Sequence, residues 1–411
     1  MTKRVLLHVG TPKTGTSYLQ DVLFRNRQRL ADQGVHYPTE RFDGHFLAAL
    51  DLMRMPWGGL EAQAIGEWDR LAGQVRDLFA IYEQPTVIIS HEILATASRS
   101  QAGRALESLG LGDPDVEIHL MLSVRDLVRQ VPAEWQENVK HRSTLSYARF
   151  LGQIRDPERD SRIGSWFWGV QEIPDILHRW GADLPPEHIH LITVPAHGSA
   201  KDELWHRFER AFGLRDLDLE LGAERSNPSM GVPETALVRR INKAANKQVE
   251  PRFYRPLVRE LLAHQTLSQR SGSPRLALPP DLHDWVQELS RSWVDEIKVR
   301  GYDVIGDVDD LIGAAPVSYA DPDHPRERQV AGAAVESIRA LLLENARLIE
   351  EQERLTGQLH ETQDALHRAY LRPTYRLREK IVRRLETSTT GRQAMKAYRR
   401  VRGRPEPPHL P

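Results

Sequence analysis

Residues 4–19 read RVLLHVGTPKTGTSYL. An apolar run leads straight into a polar loop bounded by Gly10 and Gly15. The loop leads into Tyr18, Leu19, Val22, Leu23 and Leu30, which recur at helical spacing. This order predicts a buried strand, a tight turn and an amphipathic helix, with Gly34 placed to end the helical segment. Similar short runs recur at 86–90 (TVIIS), 116–122 (VEIHLML) and 188–194 (HIHLITV). With 4–9, they are too continuously apolar for strands with one wet face and suit parallel strands covered on both. Helical patterns lie between them. The expected fold is therefore α/β, a parallel β-sheet flanked by helices.

The chain has 411 residues, enough for one large α/β unit and an extension. Residues 160–300 read mostly as helix, clearest in GVPETALVRRINKAANK and DLHDWVQELSRSWVDEIKVRG. Trp166 and Trp168 in SWFWG suit either the core or a lid over a pocket. The α/β unit is expected over 1–313. Residues 314–331, rich in Pro, Asp and Ala, read as a linker. Over 332–370, Ile338, Leu341, Asn345, Leu348, Gln352, Leu355, Leu359, Thr362 and Leu366 alternate at spacings of three and four. That pattern predicts a short coiled coil and self-association, the alternative being one amphipathic helix packed on its own unit. The tail, 371–411, holds twelve Lys/Arg against three Glu. It is a candidate for an anionic membrane surface or a solvated tail.

The chain carries a formal net charge of −1 and has no cysteine. Near-neutral charge offers no overall field for nucleic acid. Lack of cysteine excludes disulfides, thiolate zinc sites and a cysteine nucleophile. The N-terminal apolar run is too short for a signal peptide, and no stretch approaches the roughly 20 apolar residues of a membrane span. The expected location is the cytoplasm, with peripheral membrane contact through the tail.

The loop carries the chemistry. A strand, a glycine-bounded loop and a helix N-terminus present backbone N–H groups to an anion. Gly10, Gly15 and Ser17 match the triphosphate-binding pattern GxxxxGK[ST], but Thr16 fills the lysine slot and the lysine stands three residues earlier, at Lys13. PKTGTSY at 12–18 resembles the 5′-phosphosulfate loop of sulfotransferases that use 3′-phosphoadenosine 5′-phosphosulfate (PAPS). HLMLSVRDLVRQVPAEWQ resembles the family's second signature, an arginine at the end of a later strand, which falls on Arg125. VRGYDVIGD, with Arg300 and Gly301, weakly resembles its third. The resemblance covers about residues 1–312.

It implies transfer of a sulfuryl group from PAPS to a hydroxyl or amine, the acceptor being carbohydrate or a glycolipid-type metabolite, without a metal. Pro12, Lys13, Thr14, Gly15, Thr16, Ser17 and Tyr18 would form the 5′ site, with Lys13 neutralising the leaving phosphate. Arg125, with Arg300 and Gly301, would hold the 3′-phosphate. Ala133 departs from the family, which often has a serine there; Ser123, Arg129 or Arg300 are the candidates to replace it. The general base is sought among Glu92, His45 and His91, with Glu92 also able to orient His45. Gln130, Glu134, Trp135 and Lys140 are candidates for the acceptor pocket. Asn227 and Ser229 read as helix-entry residues ahead of Glu234, and Arg225 or Asn227 as acceptor contacts. Two alternatives stay open: a P-loop kinase with an altered loop, against which the strand end HLMLSVR offers no Walker B acid, and a non-catalytic coiled-coil assembly protein.

Overall fold

The structure, a computed structural model, describes residues 2–200, 202–222 and 229–371, with 373, 377, 380 and 381. Six parallel strands form one sheet: β1 (Lys3–His8), β2 (Val35–His36), β3 (Thr86–Ser90), β4 (Val116–Val124), β5 (Ile189–Thr193) and β6 (Asp303–Ile305). Their order is β2-β3-β1-β4-β5-β6. Leu6 pairs with Ile88 and His119, so β1 lies at the centre, and Leu122 pairs with Leu191. The four apolar runs form the four longest strands. β2 and β6, of two and three residues, are too short to leave a hydrophobic run in the sequence.

Both faces of the sheet are covered. Leu6, Ile88, Met121 and Ile192 face α1 (Thr16–Arg25) and the helix Glu203–Phe212, through Leu19, Val22, Leu23, Phe208 and Phe212. Val5, Leu7, Val87, Leu120, Leu122 and Leu191 alternate with them and are fully buried on the other face. Trp168 is core, its Nε1 donating to the Ile154 carbonyl at 2.8 Å. The chain leaves β1 toward β2, but leaves β3 and β4 toward β6. The loops therefore part above β1, where open α/β sheets place their ligands.

The chain divides into Met1–Ser337 and Ile338–Pro411. The expected linker is held to the first unit. Asp323 accepts from the N–H groups of Tyr147 and Ala148 at 3.1 and 2.9 Å and pairs with Arg239 at 3.0 Å. The long helix starts at Glu327, ahead of the expected residue 332, and runs to Leu371. Val330, Ala333 and Ser337 are buried, so its first turns belong to the α/β unit's core. The basic tail, apart from the few residues named above, lies outside the described residues, as do Arg225 and Asn227. Among the described residues no helix is long and apolar enough to cross a membrane.

Candidate functional site

The loop after β1 is built on a buried polar strut. Thr11 N–H donates to the Ser123 carbonyl and Ser123 N–H to the Gly10 carbonyl, both at 2.7 Å. The Thr14 hydroxyl lies 2.6 Å from both the Thr11 carbonyl and the Ser123 hydroxyl. His8, fully buried at the end of β1, joins the Ser90 hydroxyl at 2.8 Å to the Ser123 hydroxyl at 3.0 Å. Burial pushes its pKa down to about 4, against the pull of Glu92, so the imidazole is neutral. Gly10 has φ 121°, and a β-carbon there would stand 2.9 Å from the Glu92 carbonyl oxygen. The loop therefore lies flat against the end of β3.

Above this strut the backbone turns its N–H groups outward. Lys13 at φ 64° and Gly15 at φ 91° are left-handed. Tyr18 N–H is the first in α1 to find an acceptor, the Gly15 carbonyl at 3.0 Å. Among the described residues the N–H groups of Lys13, Thr14, Gly15, Thr16 and Ser17 have none. Five successive free donors at a helix N-terminus have the geometry of an anion-binding concavity. The Pro12 carbonyl accepts from Gln130 at 2.6 Å, which fixes the loop's leading arm. Tyr18 packs edge-on against Trp205, 5.8 Å between ring centres, and so serves the contact between helices.

Charged groups gather beside the loop from the helix Leu127–Lys140 and the π-helix Arg255–Thr266. Lys13 donates to Glu137 at 2.5 Å. Glu137 also meets His141 at 3.1 Å, Arg259 at 3.2 Å and Lys140 at 3.9 Å. Burial raises its pKa, but Lys13, the His141 hydrogen bond and Lys140 outweigh it and hold the carboxyl well below its usual range. Burial pushes the Lys140 ammonium down to about 8. One turn back, Glu134 is buried with one oxygen held by Gln171 at 3.1 Å, and burial pushes its carboxyl up to about 7 against the pull of Lys13.

Arg125 follows β4 at the same sheet edge. Asp126 does not pair with it: that carboxylate caps the Leu127–Lys140 helix through Arg129 N–H at 2.9 Å and pairs with the Arg129 guanidinium. Arg125 donates once, to the Arg129 carbonyl at 2.8 Å, and its buried Nε has no partner among the described residues. Burial, the largest influence, pushes its pKa down to about 10. It remains charged at neutral pH with no carboxylate within ion-pair distance among the described residues.

The candidate bases separate. His45 is buried, with Ser90 N–H donating to Nδ1 and Nε2 donating to the Pro38 carbonyl, both at 3.3 Å. Burial pushes it down to about 3. With both nitrogens engaged, it is a structural histidine, and Glu92 does not orient it. His91 accepts from Ile93 N–H at 3.2 Å and stacks on Phe46. Glu92 has a quarter of its side chain exposed and accepts from Gln20 at 2.9 Å. Burial raises its pKa, yet His91, Gln20 and Lys13 together hold it below the ordinary value. It is therefore a carboxylate beside the loop.

Other expected residues fall elsewhere. Arg300 and Gly301 end the helix His283–Arg300 and precede β6, which puts them at the N-terminal edge of the sheet, opposite the loop. Arg300 is exposed and faces Glu296 at 3.4 Å. Trp135 is core, its Nε1 donating to the Leu145 carbonyl at 3.1 Å. Ser123 and Arg129 are taken by the strut and by Asp126. Ser229 does not cap the next helix, which enters through Gly231.

Sequence reasoning missed an aromatic wall. Phe46 stacks on His91 with centres 4.9 Å apart, Trp57 meets Phe46 at 5.7 Å, and Trp57 meets both Trp166 at 6.0 Å and His141 at 6.1 Å. The wall runs from the Glu92 side of the loop to the Glu137 side. A cleft of about 410 Å³, lined in part by Met55, Thr96, Arg162 and Trp166, lies along it. Of the wall's members, the sequence singles out Trp166 in SWFWG, as core or a lid, but not Phe46 or Trp57.

No family model, curated protein or solved structure matches the chain.

Proposed function

We propose that the protein is a sulfotransferase that takes its sulfuryl group from PAPS and passes it to a hydroxyl-bearing acceptor. One observation carries this reading: five N–H donors free among the described residues and Lys13 share a sheet edge with Arg125, a part-buried cation that has no ion-pair partner among the described residues. Two separated anion sites suit a donor phosphorylated at both ends of its ribose better than a linear triphosphate. The free Nε of Arg125 supplies the donor left wanting by Ala133. When bound, PAPS supplies an activated sulfuryl group on a good leaving group, 3′,5′-ADP.

The chain's own groups then have distinct tasks. The N–H groups of residues 13–17 hold the 5′-phosphate, and Lys13 exchanges Glu137 for the bridging oxygen, where negative charge grows as the S–O bond breaks. Glu137 keeps Lys140, His141 and Arg259, so releasing Lys13 does not strand a buried carboxylate. Glu92 takes the proton of the attacking hydroxyl as the new O–S bond forms. Trp57 and Trp166 offer flat apolar faces that favour a sugar ring as the acceptor.

The test is thermal stability with 3′,5′-ADP, ADP or Mg-ATP, since a bound ligand raises apparent stability by mass action. Stabilisation by 3′,5′-ADP well beyond ADP, without metal, is expected. Stabilisation by Mg-ATP alone would replace this reading with a rearranged triphosphate site.

A further inference from the structure

The long helix carries a seam that specifies its own partner. Written as heptads, Ile338, Asn345, Gln352, Leu359 and Leu366 occupy one core position (a), and Leu341, Leu348, Leu355 and Thr362 the other (d). The six aliphatic residues of this seam stand 39–57 % exposed. The side-chain amides of Asn345 and Gln352 have no hydrogen-bond partner among the described residues, whereas the Thr362 hydroxyl bonds back to the Gln358 carbonyl at 2.8 Å.

We infer that a second copy of this chain covers the seam as a parallel, in-register, two-stranded coiled coil. The polar layers decide orientation and register. In a parallel in-register pair each core residue meets its own counterpart, so Asn345 faces Asn345 and Gln352 faces Gln352. In an antiparallel pair, a positions face d positions, and Thr362 is the single polar d residue. No antiparallel register can therefore give both Asn345 and Gln352 a polar partner. A parallel pair slipped by one heptad matches Asn345 with Gln352 but sets the other copy's Gln352 against Leu359. A buried amide facing leucine loses its hydrogen bonds, so each of these alternatives is penalised. Asparagine at a with leucine at d also favours two strands.

Charge does not oppose this pairing. Glu344 and Glu351, beside the seam, are each held by their own helix's Arg347 and Arg354 at 2.6–2.8 Å. The flanking residues that would meet them, Ile349 and Thr356, carry no charge. The inference rests on the helix alone and does not depend on the proposed sulfotransferase activity.

The test uses the full chain, whose lack of cysteine makes single labels clean. Sedimentation equilibrium should give a dimer, and Leu348→Lys with Leu355→Lys should give a monomer. Spin labels on Glu350→Cys and, separately, Asp364→Cys lie on the outer face. They should report equal distances between copies. The antiparallel register that pairs Asn345 with Thr362 would separate the two readings by about 20 Å along the axis, at roughly 1.5 Å per residue. Asn345→Cys should form a disulfide between copies under mild oxidation. A monomeric wild type, unequal label distances, or no Asn345→Cys disulfide would each overturn the inference.

Discussion

Lys13 can leave Glu137 without unpairing it, and this separates binding from stability at a single residue. Lys13→Ala should leave the unfolding temperature of the free protein nearly unchanged, because Lys140, His141 and Arg259 still surround the carboxylate. The same change should cost about 1.5–3 kcal/mol of 3′,5′-ADP affinity, the range of a hydrogen bond to a charged group. Arg125→Ala should lower 3′,5′-ADP affinity to the level of ADP, because it removes the group that reads the 3′-phosphate; calorimetry with both nucleotides checks it. The base is tested by pH. His91, Gln20 and Lys13 hold Glu92 below the usual carboxylate range despite its burial, so kcat/KM should stay flat on the acid side between pH 5 and 7. Were Glu134 the base, with a pKa of about 7, activity would fall tenfold per pH unit below that value. Residues 10–18 were legible because the whole cradle lies in one short segment. Glu137 was not, since its partners come from the loop, its own helix and the π-helix, and no local pattern joins them. Arg300 misled because its neighbours look right locally, while the edge of the sheet it occupies depends on strand direction and order.

At the scale of elements, the loop works because β3 and β4 end beneath it. The Thr11–Ser123 pair ties it to β4, and close contact of Gly10 with the Glu92 carbonyl ties it to β3. Gly10→Ala must both hold a left-handed φ and push a β-carbon into backbone at 2.9 Å. It should destabilise the protein by about 1–3 kcal/mol and weaken 3′,5′-ADP binding by displacing the loop. Denaturant unfolding and calorimetry on this variant check both. The four long strands were readable because burial on both faces demands unbroken apolar runs. β2 and β6 were not, because two or three paired residues leave no period to detect. The aromatic wall was hidden for a related reason: Phe46, Trp57, His91 and Trp166 come from distant segments, and only the sheet's crossovers bring them together.

For the whole molecule, the same strand ends impose an acid limit on stability. His8 is held down at about 4 and His45 at about 3, both by burial. Their unfolded values lie near 6.5, so the unfolded chain binds more protons as pH falls below that point. The contribution of these two histidines is full above pH 6.5 and lost as pH drops, by about 2 kcal/mol for each at pH 5, while Glu134, held up at about 7, acts in the opposite direction, so the Glu134→Gln background isolates the histidines. Denaturant unfolding at pH 7 and pH 5 checks it. The boundary of the α/β unit gives a second prediction at this scale. Sequence composition put the end of the linker at 331, but Val330, Ala333 and Ser337 are buried together at the start of the long helix. Arg240 grips Glu327 at 2.7 Å in the same turns. A chain ending at 331 keeps Glu327 and Val330 but loses Ala333 and Ser337, and leaves the helix only one turn to hold them. A chain ending at 337 keeps all of these contacts. The longer chain should match the full protein in its unfolding temperature and its response to 3′,5′-ADP while being monomeric. The shorter one should unfold several degrees earlier, about what 1–2 kcal/mol costs a unit of this size. Equal unfolding temperatures would move the boundary back to 331 and make the first turns of the helix part of the stalk.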